Sequence, residues 1–113
     1  MTTIWHNPRC SKSRQALALL EERGAEITIR RYLDEPPSLA ELQDARSKLG
    51  LPAIDMIRTG EAVFKEMGLS KSDPDDTLLK AMAEAPKLIE RPVVFSGDRA
   101  IIARPPEKAL DIL

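Results

Sequence analysis

The sequence predicts an α/β fold with a helical insertion, on three observations. Short apolar, β-branched runs at residues 2–5, 27–29, 93–95 and 100–103 read as strands and lie towards the two ends of the chain. Apolar residues at helical spacing separate the first two, giving a βαβ unit, which favours a parallel pair with a right-handed crossover. The middle of the chain, about residues 35–88, carries helical periodicity only. The predicted order is therefore βαβ, a helical insert, then ββα, within a single domain spanning residues 1–113.

Thr2-Thr3-Ile4-Trp5 opens as a strand. The helix after Cys10 runs toward Arg23, with Ala16, Leu17 and Leu20 on its inner side and Gly24 as its stop. Ile27-Thr28-Ile29 alternates, and this strand ends near Tyr32. Ser38 with Glu41 has the spacing of a capping box, starting a helix that stops at Gly50-Leu51-Pro52. A short helix is expected through Ile54 and Ile57, ending at Thr59-Gly60, and another from Ala62 to Met67, stopped by Gly68. Asp73-Pro74 reads as an N-cap followed by proline at the first helical position, opening a helix that carries Leu78, Leu79 and Met82. Val93-Val94-Phe95, the turn Ser96-Gly97-Asp98 and the returning Ala100-Ile101-Ile102-Ala103 form a hairpin. Pro105-Pro106-Glu107 begins a closing helix through Leu110 and Ile112.

Composition removes several classes of function. Hydrophobic residues make up 42% and charged residues 31%, a globular balance rather than a disordered one. The formal net charge of −1 gives no basic field for nucleic acid. No apolar run approaches the roughly 20 residues that cross a bilayer, and the N-terminus lacks the pattern of a signal peptide. With one Cys and one His, a zinc site would need carboxylates for its remaining ligands, so no metal is expected. A lone cysteine forms no internal disulfide, which points to a reducing cytoplasm.

That cysteine is the most informative residue. Cys10 lies in His6-Asn7-Pro8-Arg9-Cys10-Ser11-Lys12-Ser13-Arg14, where the first strand gives way to the first helix. The first turn of a helix offers unpaired N–H groups and the positive end of its dipole. A thiol placed there ionises more readily, and the same N–H groups can hold an oxyanion beside the sulfur. The alternative is a small buried hydrophobe, the fate of most free cysteines. The polar, cationic neighbours Ser11, Lys12, Ser13 and Arg14 describe a helix start rather than a core. His6 either favours the thiolate or is an ordinary loop histidine.

Three arginines stand where segments end: Arg58 before Thr59-Gly60, Arg91 before Pro92, and Arg104 before Pro105. Guanidinium groups present paired donors that suit tetrahedral oxyanions and stay charged at any useful pH. Each could instead be a solvated or salt-bridged surface arginine. Arg91 and Arg104 flank the predicted hairpin, one entering and one leaving, which puts them near the same end of the sheet.

Taken with Tyr32-Leu33-Asp34-Glu35-Pro36-Pro37, Lys65-Glu66-Met67-Gly68-Leu69, Pro86-Lys87-Leu88-Ile89-Glu90-Arg91-Pro92 and Arg104-Pro105-Pro106-Glu107, the Cys10 segment resembles the glutaredoxin-coupled arsenate reductases over nearly the whole chain. The resemblance implies a thioredoxin-like domain with a helical insertion. It implies that Cys10 attacks arsenate and forms a thiol–arsenate adduct, and that Arg58, Arg91 and Arg104 bind the oxyanion. It further implies that Ser13 and Arg14 border the anion loop, that His6 favours the thiolate, and that Arg91-Pro92 is a cis bond facing the thiol. No cofactor is bound on this reading; glutathione is the reductant and glutaredoxin the protein partner. Two other functions share the scaffold. A monothiol glutaredoxin-like oxidoreductase needs Cys10 but not the three arginines. A non-catalytic regulator of the same superfamily typically carries a Cys-x-x-Cys pair, whose second position here is Ser13.

Overall fold

A computed structural model describes residues 2–113. Their contacts divide into two compact units, one formed by the chain up to Glu35 together with Arg91–Leu113, the other by Pro36–Glu90.

The first unit is a four-stranded mixed sheet with helical segments. The strands are β1 (Thr2–His6), β2 (Ile27–Arg31), β3 (Val93–Ser96) and β4 (Arg99–Ile102), in the spatial order β2-β1-β3-β4. β1 and β2 are parallel, with Thr2 opposite Ile27 and His6 opposite Arg31, as the βαβ reading requires. β3 is antiparallel to β1, pairing Ile4 with Val94 and Trp5 with Val93, and β4 returns antiparallel with Ile102 opposite Val93. Ser96 pairs with Arg99, so Gly97 and Asp98 form a two-residue loop, and Gly97 takes the left-handed backbone (φ 61°) that such turns demand.

Strand side chains alternate between faces. On one face Ile4 and Val94 join Ala16 and Leu20 of α1 (Ser11–Glu22) and Ala103, Ala109 and Ile112 in a buried core. On the other, Trp5 and Phe95 meet as a tilted aromatic pair with centroids 4.8 Å apart, and Arg30 stands over the indole at 5.9 Å. The closing segment, Pro106–Ile112, is a 3-10 helix.

The second unit holds α2 (Leu39–Leu49), α3 (Ala62–Glu66) and α4 (Asp75–Glu84). The capping box at the start of α2 is complete: Glu41 N–H donates to Ser38 Oγ at 3.1 Å and Ser38 N–H to Glu41 Oε1 at 3.0 Å. Gly50 ends α2 in the left-handed region (φ 66°). Two local expectations are corrected. The helix through Ile54 and Ile57 is only a 3-10 turn at Ala53–Asp55, because Ile57 leaves it to form an antiparallel bridge with Ile89. Asp73 does not cap α4; the extended Pro74 holds that position, while the Asp73 carboxylate accepts from Ser70 N–H at 2.9 Å. Asp75, in the first turn, accepts from Ala53 N–H and from Arg46. Among the described residues no helix is long and apolar enough to cross a membrane.

Candidate active site

The sheet register collects four chain segments at one end. With His6 opposite Arg31, the residues after β1 (7–10) and after β2 (Tyr32) emerge side by side. With Trp5 opposite Val93 and Val93 opposite Ile102, the residues entering β3 (Arg91-Pro92) and leaving β4 (Ala103-Arg104) emerge there too. Ala103 N–H donates to the Pro92 carbonyl at 3.0 Å, and Arg104 Nη1 donates to the Arg91 carbonyl at 3.3 Å. Arg91 and Arg104 are thus neighbours, as their placement around the hairpin requires. Both Arg91-Pro92 and Arg104-Pro105 are cis; the sequence pointed to the first only.

Cys10 is the N-cap of α1, with extended backbone (φ −93°, ψ 121°); its carbonyl accepts from Arg14 N–H at 3.0 Å. The thiol closes no capping bond, but the N–H groups of Ser13 and Lys12 face the sulfur. No acidic residue occupies the first turn of α1, where Lys12 and Arg14 stand instead. Cations at a helix N-terminus oppose the dipole, so this turn forgoes stability and concentrates positive potential. Burial alone would push the Cys10 thiol up. The Arg91 guanidinium beside the sulfur and the Ser13 and Lys12 N–H groups outweigh it, and the thiol lies below its ordinary value. The reciprocal effect holds for Arg91: burial disfavours its charge, but Cys10 and Tyr32 more than compensate, and it stays a cation.

The loop between β1 and α1 is braced from within. Ser13, fully buried, receives Asn7 N–H on its hydroxyl at 3.1 Å and shares a 2.6 Å hydrogen bond with His6 Nδ1. Asn7 Oδ1 accepts from Arg9 N–H at 3.0 Å, and Arg14 Nη1 donates to the Pro8 carbonyl at 2.9 Å. Burial, then the charges of Arg31 and Arg14, hold His6 below the usual histidine range, so it is neutral near pH 7, with Glu21 pulling weakly the other way. Its hydrogen bond runs to Ser13, which connects it to the cysteine loop through the serine. A cavity of about 460 Å³ flanks the loop on its β2 side; with Arg9 and Arg31 set against Asp34, its lining is net positive.

Of the residues singled out from sequence, the first unit contains Cys10, His6, Ser13, Arg14, Arg91, Pro92 and Arg104. Arg58 belongs to the second unit, where its guanidinium bonds Glu61 at 3.2 Å and Glu90 at 3.0 Å. Sequence reasoning passed over Tyr32. It is fully buried, and its hydroxyl has Arg91 and Asn7 as polar neighbours, with Cys10 in electrostatic reach. The available signal was its place one residue past β2, at the end where a parallel pair delivers both chains.

The model of the ArsC family matches residues 5–112. An arsenate reductase of Neisseria meningitidis serogroup A is 49% identical over 112 residues, covering 97% of this chain and 96% of that protein. One of Haemophilus influenzae is 46% identical over 112 residues, covering 97% of each. The solved structure of an arsenate reductase from Vibrio cholerae superimposes with a TM-score of 0.94 at 46% identity, over 99% of this chain and 97% of that one.

Proposed function

The chain belongs to the ArsC family, with its thioredoxin-like α/β fold, and from that premise we propose that it is an arsenate reductase. Cys10 acts as the nucleophile, and glutathione and glutaredoxin supply the electrons. The observation that carries this reading is the Cys10 sulfur at the N-cap of α1, with Arg91 beside it and its thiol drawn down despite burial. A thiolate at neutral pH is the nucleophilic form, and fixed N–H groups and a guanidinium can stabilise charge developing on oxygen.

In the proposed cycle the Cys10 thiolate attacks arsenic(V), an S–As bond forms, and one arsenate oxygen leaves as water after taking up protons. Two glutathione equivalents, directly or through glutaredoxin, then provide two electrons. Their sulfurs are oxidised to a disulfide, arsenic is reduced from +5 to +3, arsenite departs, and Cys10 returns as thiolate. The balance is one arsenate and two thiols in, one arsenite, one disulfide and one water out. The N–H groups of Lys12 and Ser13 and the guanidinium of Arg91 hold the oxyanion, with Arg104 at its margin. Arg58 is proposed as a further anion ligand; to serve as one it exchanges carboxylate partners for substrate oxygen. His6, neutral and bonded to Ser13, and Arg14, bonded to Pro8, act by fixing the loop. Pro92 shapes the approach to Arg91. A reducing cytoplasm suits this cycle, since it keeps Cys10 recyclable.

The test is a coupled assay of arsenite release with glutathione and glutaredoxin. Wild-type protein is expected to turn over, Cys10→Ser to be inactive, and Arg91→Ala to lose at least tenfold in kcat/KM for arsenate, a larger factor than its loss in exchange with a glutathione mixed disulfide, which reflects only the smaller thiolate fraction. Inert wild-type protein removes the reductase reading. Wild-type exchange with the mixed disulfide in the absence of any arsenite release favours a monothiol oxidoreductase instead.

A further inference from the structure

Tyr32 poses a question that the cysteine and arginines leave open. Its side chain is fully buried, and Arg91 and Asn7 face its oxygen as donors, yet none of the described residues accepts its phenolic hydrogen. A buried donor without an acceptor is unfavourable, and structures rarely keep one without a use. The hydroxyl stands where the sheet register delivers it, one residue beyond the His6–Arg31 pair and beside Asn7, at the end of the sheet that carries Cys10 and Arg91. The Arg91 guanidinium is a donor only, so it offers nothing to the phenolic hydrogen. Asn7 likewise draws the phenol down, as a donor does, and its carboxamide oxygen is turned to Arg9 N–H. The missing group is an acceptor next to Arg91, and an oxyanion held there supplies one.

Resting on the reading of this site as an oxyanion pocket, we infer that the Tyr32 hydroxyl is a further substrate ligand, donating a hydrogen bond to an oxygen of the anion held by Arg91 beside Cys10. Burial raises the phenol above its ordinary value despite Arg91 and Asn7, so the proton is in place throughout the working pH range. The hydroxyl does not serve the resting thiolate: Arg91 and the Ser13 and Lys12 N–H groups already face that sulfur. A donor left unused until the anion arrives favours the bound state over the free one.

Tyr32→Phe removes the hydroxyl and keeps the ring. The readout is protection of Cys10 from iodoacetamide by arsenate, and by sulfate as a tetrahedral anion that does not react. Wild-type protein is expected to be protected by both, and Tyr32→Phe to need about tenfold more of either anion, the scale of one hydrogen bond to a charged acceptor. Its thermal midpoint is expected to be unchanged or higher, since an unsatisfied buried group is gone, and the pH midpoint of alkylation without anion to match wild type. Equal protection in the variant overturns the role assigned to Tyr32 while leaving the pocket intact. A lower thermal midpoint, or an alkylation midpoint moved upward, overturns it in favour of a structural or thiolate-supporting role. Wild-type protein protected by neither anion removes the pocket reading itself, and the Tyr32 ligand with it.

Discussion

At the residue scale, the geometry around Cys10 depends on two small polar groups that never reach the sulfur through their side chains. Ser13 accepts Asn7 N–H and bonds His6, which fixes the turn that presents its own backbone N–H to the thiol. The histidine was legible from sequence as a neighbour of the cysteine but not as a partner of Ser13. A spacing of seven residues across a strand end and a helix start says nothing about which side chain turns inward. Burial settles it: His6 and Ser13 are inside, and a buried imidazole is favoured neutral. The sign of the pH effect follows. The unfolded chain binds a proton at His6 more readily than the folded one, so stability is full above the ordinary histidine pKa of about 6.5 and declines as pH falls toward the lower folded value. Urea unfolding midpoints of wild type are expected to drop between about pH 6.5 and 5.5, and those of His6→Gln to drop less over that interval. Parallel profiles contradict this account of His6.

At the scale of elements, the legible features were those fixed by local chemistry. The Ser38–Glu41 capping box, the glycine stops after α1, α2 and α3, and the Gly97-Asp98 turn each follow from a few adjacent residues. Ser38→Ala is expected to cost about 1 kcal/mol of stability in urea denaturation, because Glu41 N–H loses the hydroxyl that accepts it. No change in the midpoint contradicts the cap's energetic role. Less legible were the features set by contacts distant in sequence. Ile57 was read as helical and instead pairs with Ile89, thirty-two positions on. Asp73-Pro74 reads as a cap followed by the first helical residue, and the extended backbone of Pro74 instead makes Pro74 the cap. The neighbourhood of Arg91 and Arg104 was recoverable because a hairpin's register follows from its turn, so both flanks had to meet. Tyr32 required the register of the parallel pair β1–β2, which a crossover helix does not encode residue by residue.

At the scale of the whole molecule, the formal charge of −1 excludes one explanation for an acidic thiol. A protein with a sequence pI near 5.9 is slightly anionic at neutrality, so its overall field opposes a thiolate. The cationic surroundings of Cys10 are local, built by Arg91 and the first turn of α1 within one compact unit. Arg58 lies in the other unit with two carboxylates on its guanidinium, partners that its place in the sequence does not announce. The most direct test is the pH dependence of Cys10 alkylation by iodoacetamide in wild type and Arg91→Ala. The wild-type midpoint is expected below the roughly 8.5 of a free cysteine, and Arg91→Ala is expected to move it upward, because the burial penalty remains when the guanidinium is removed. A wild-type midpoint at or above that of a free thiol, or one that Arg91→Ala leaves in place, contradicts the account.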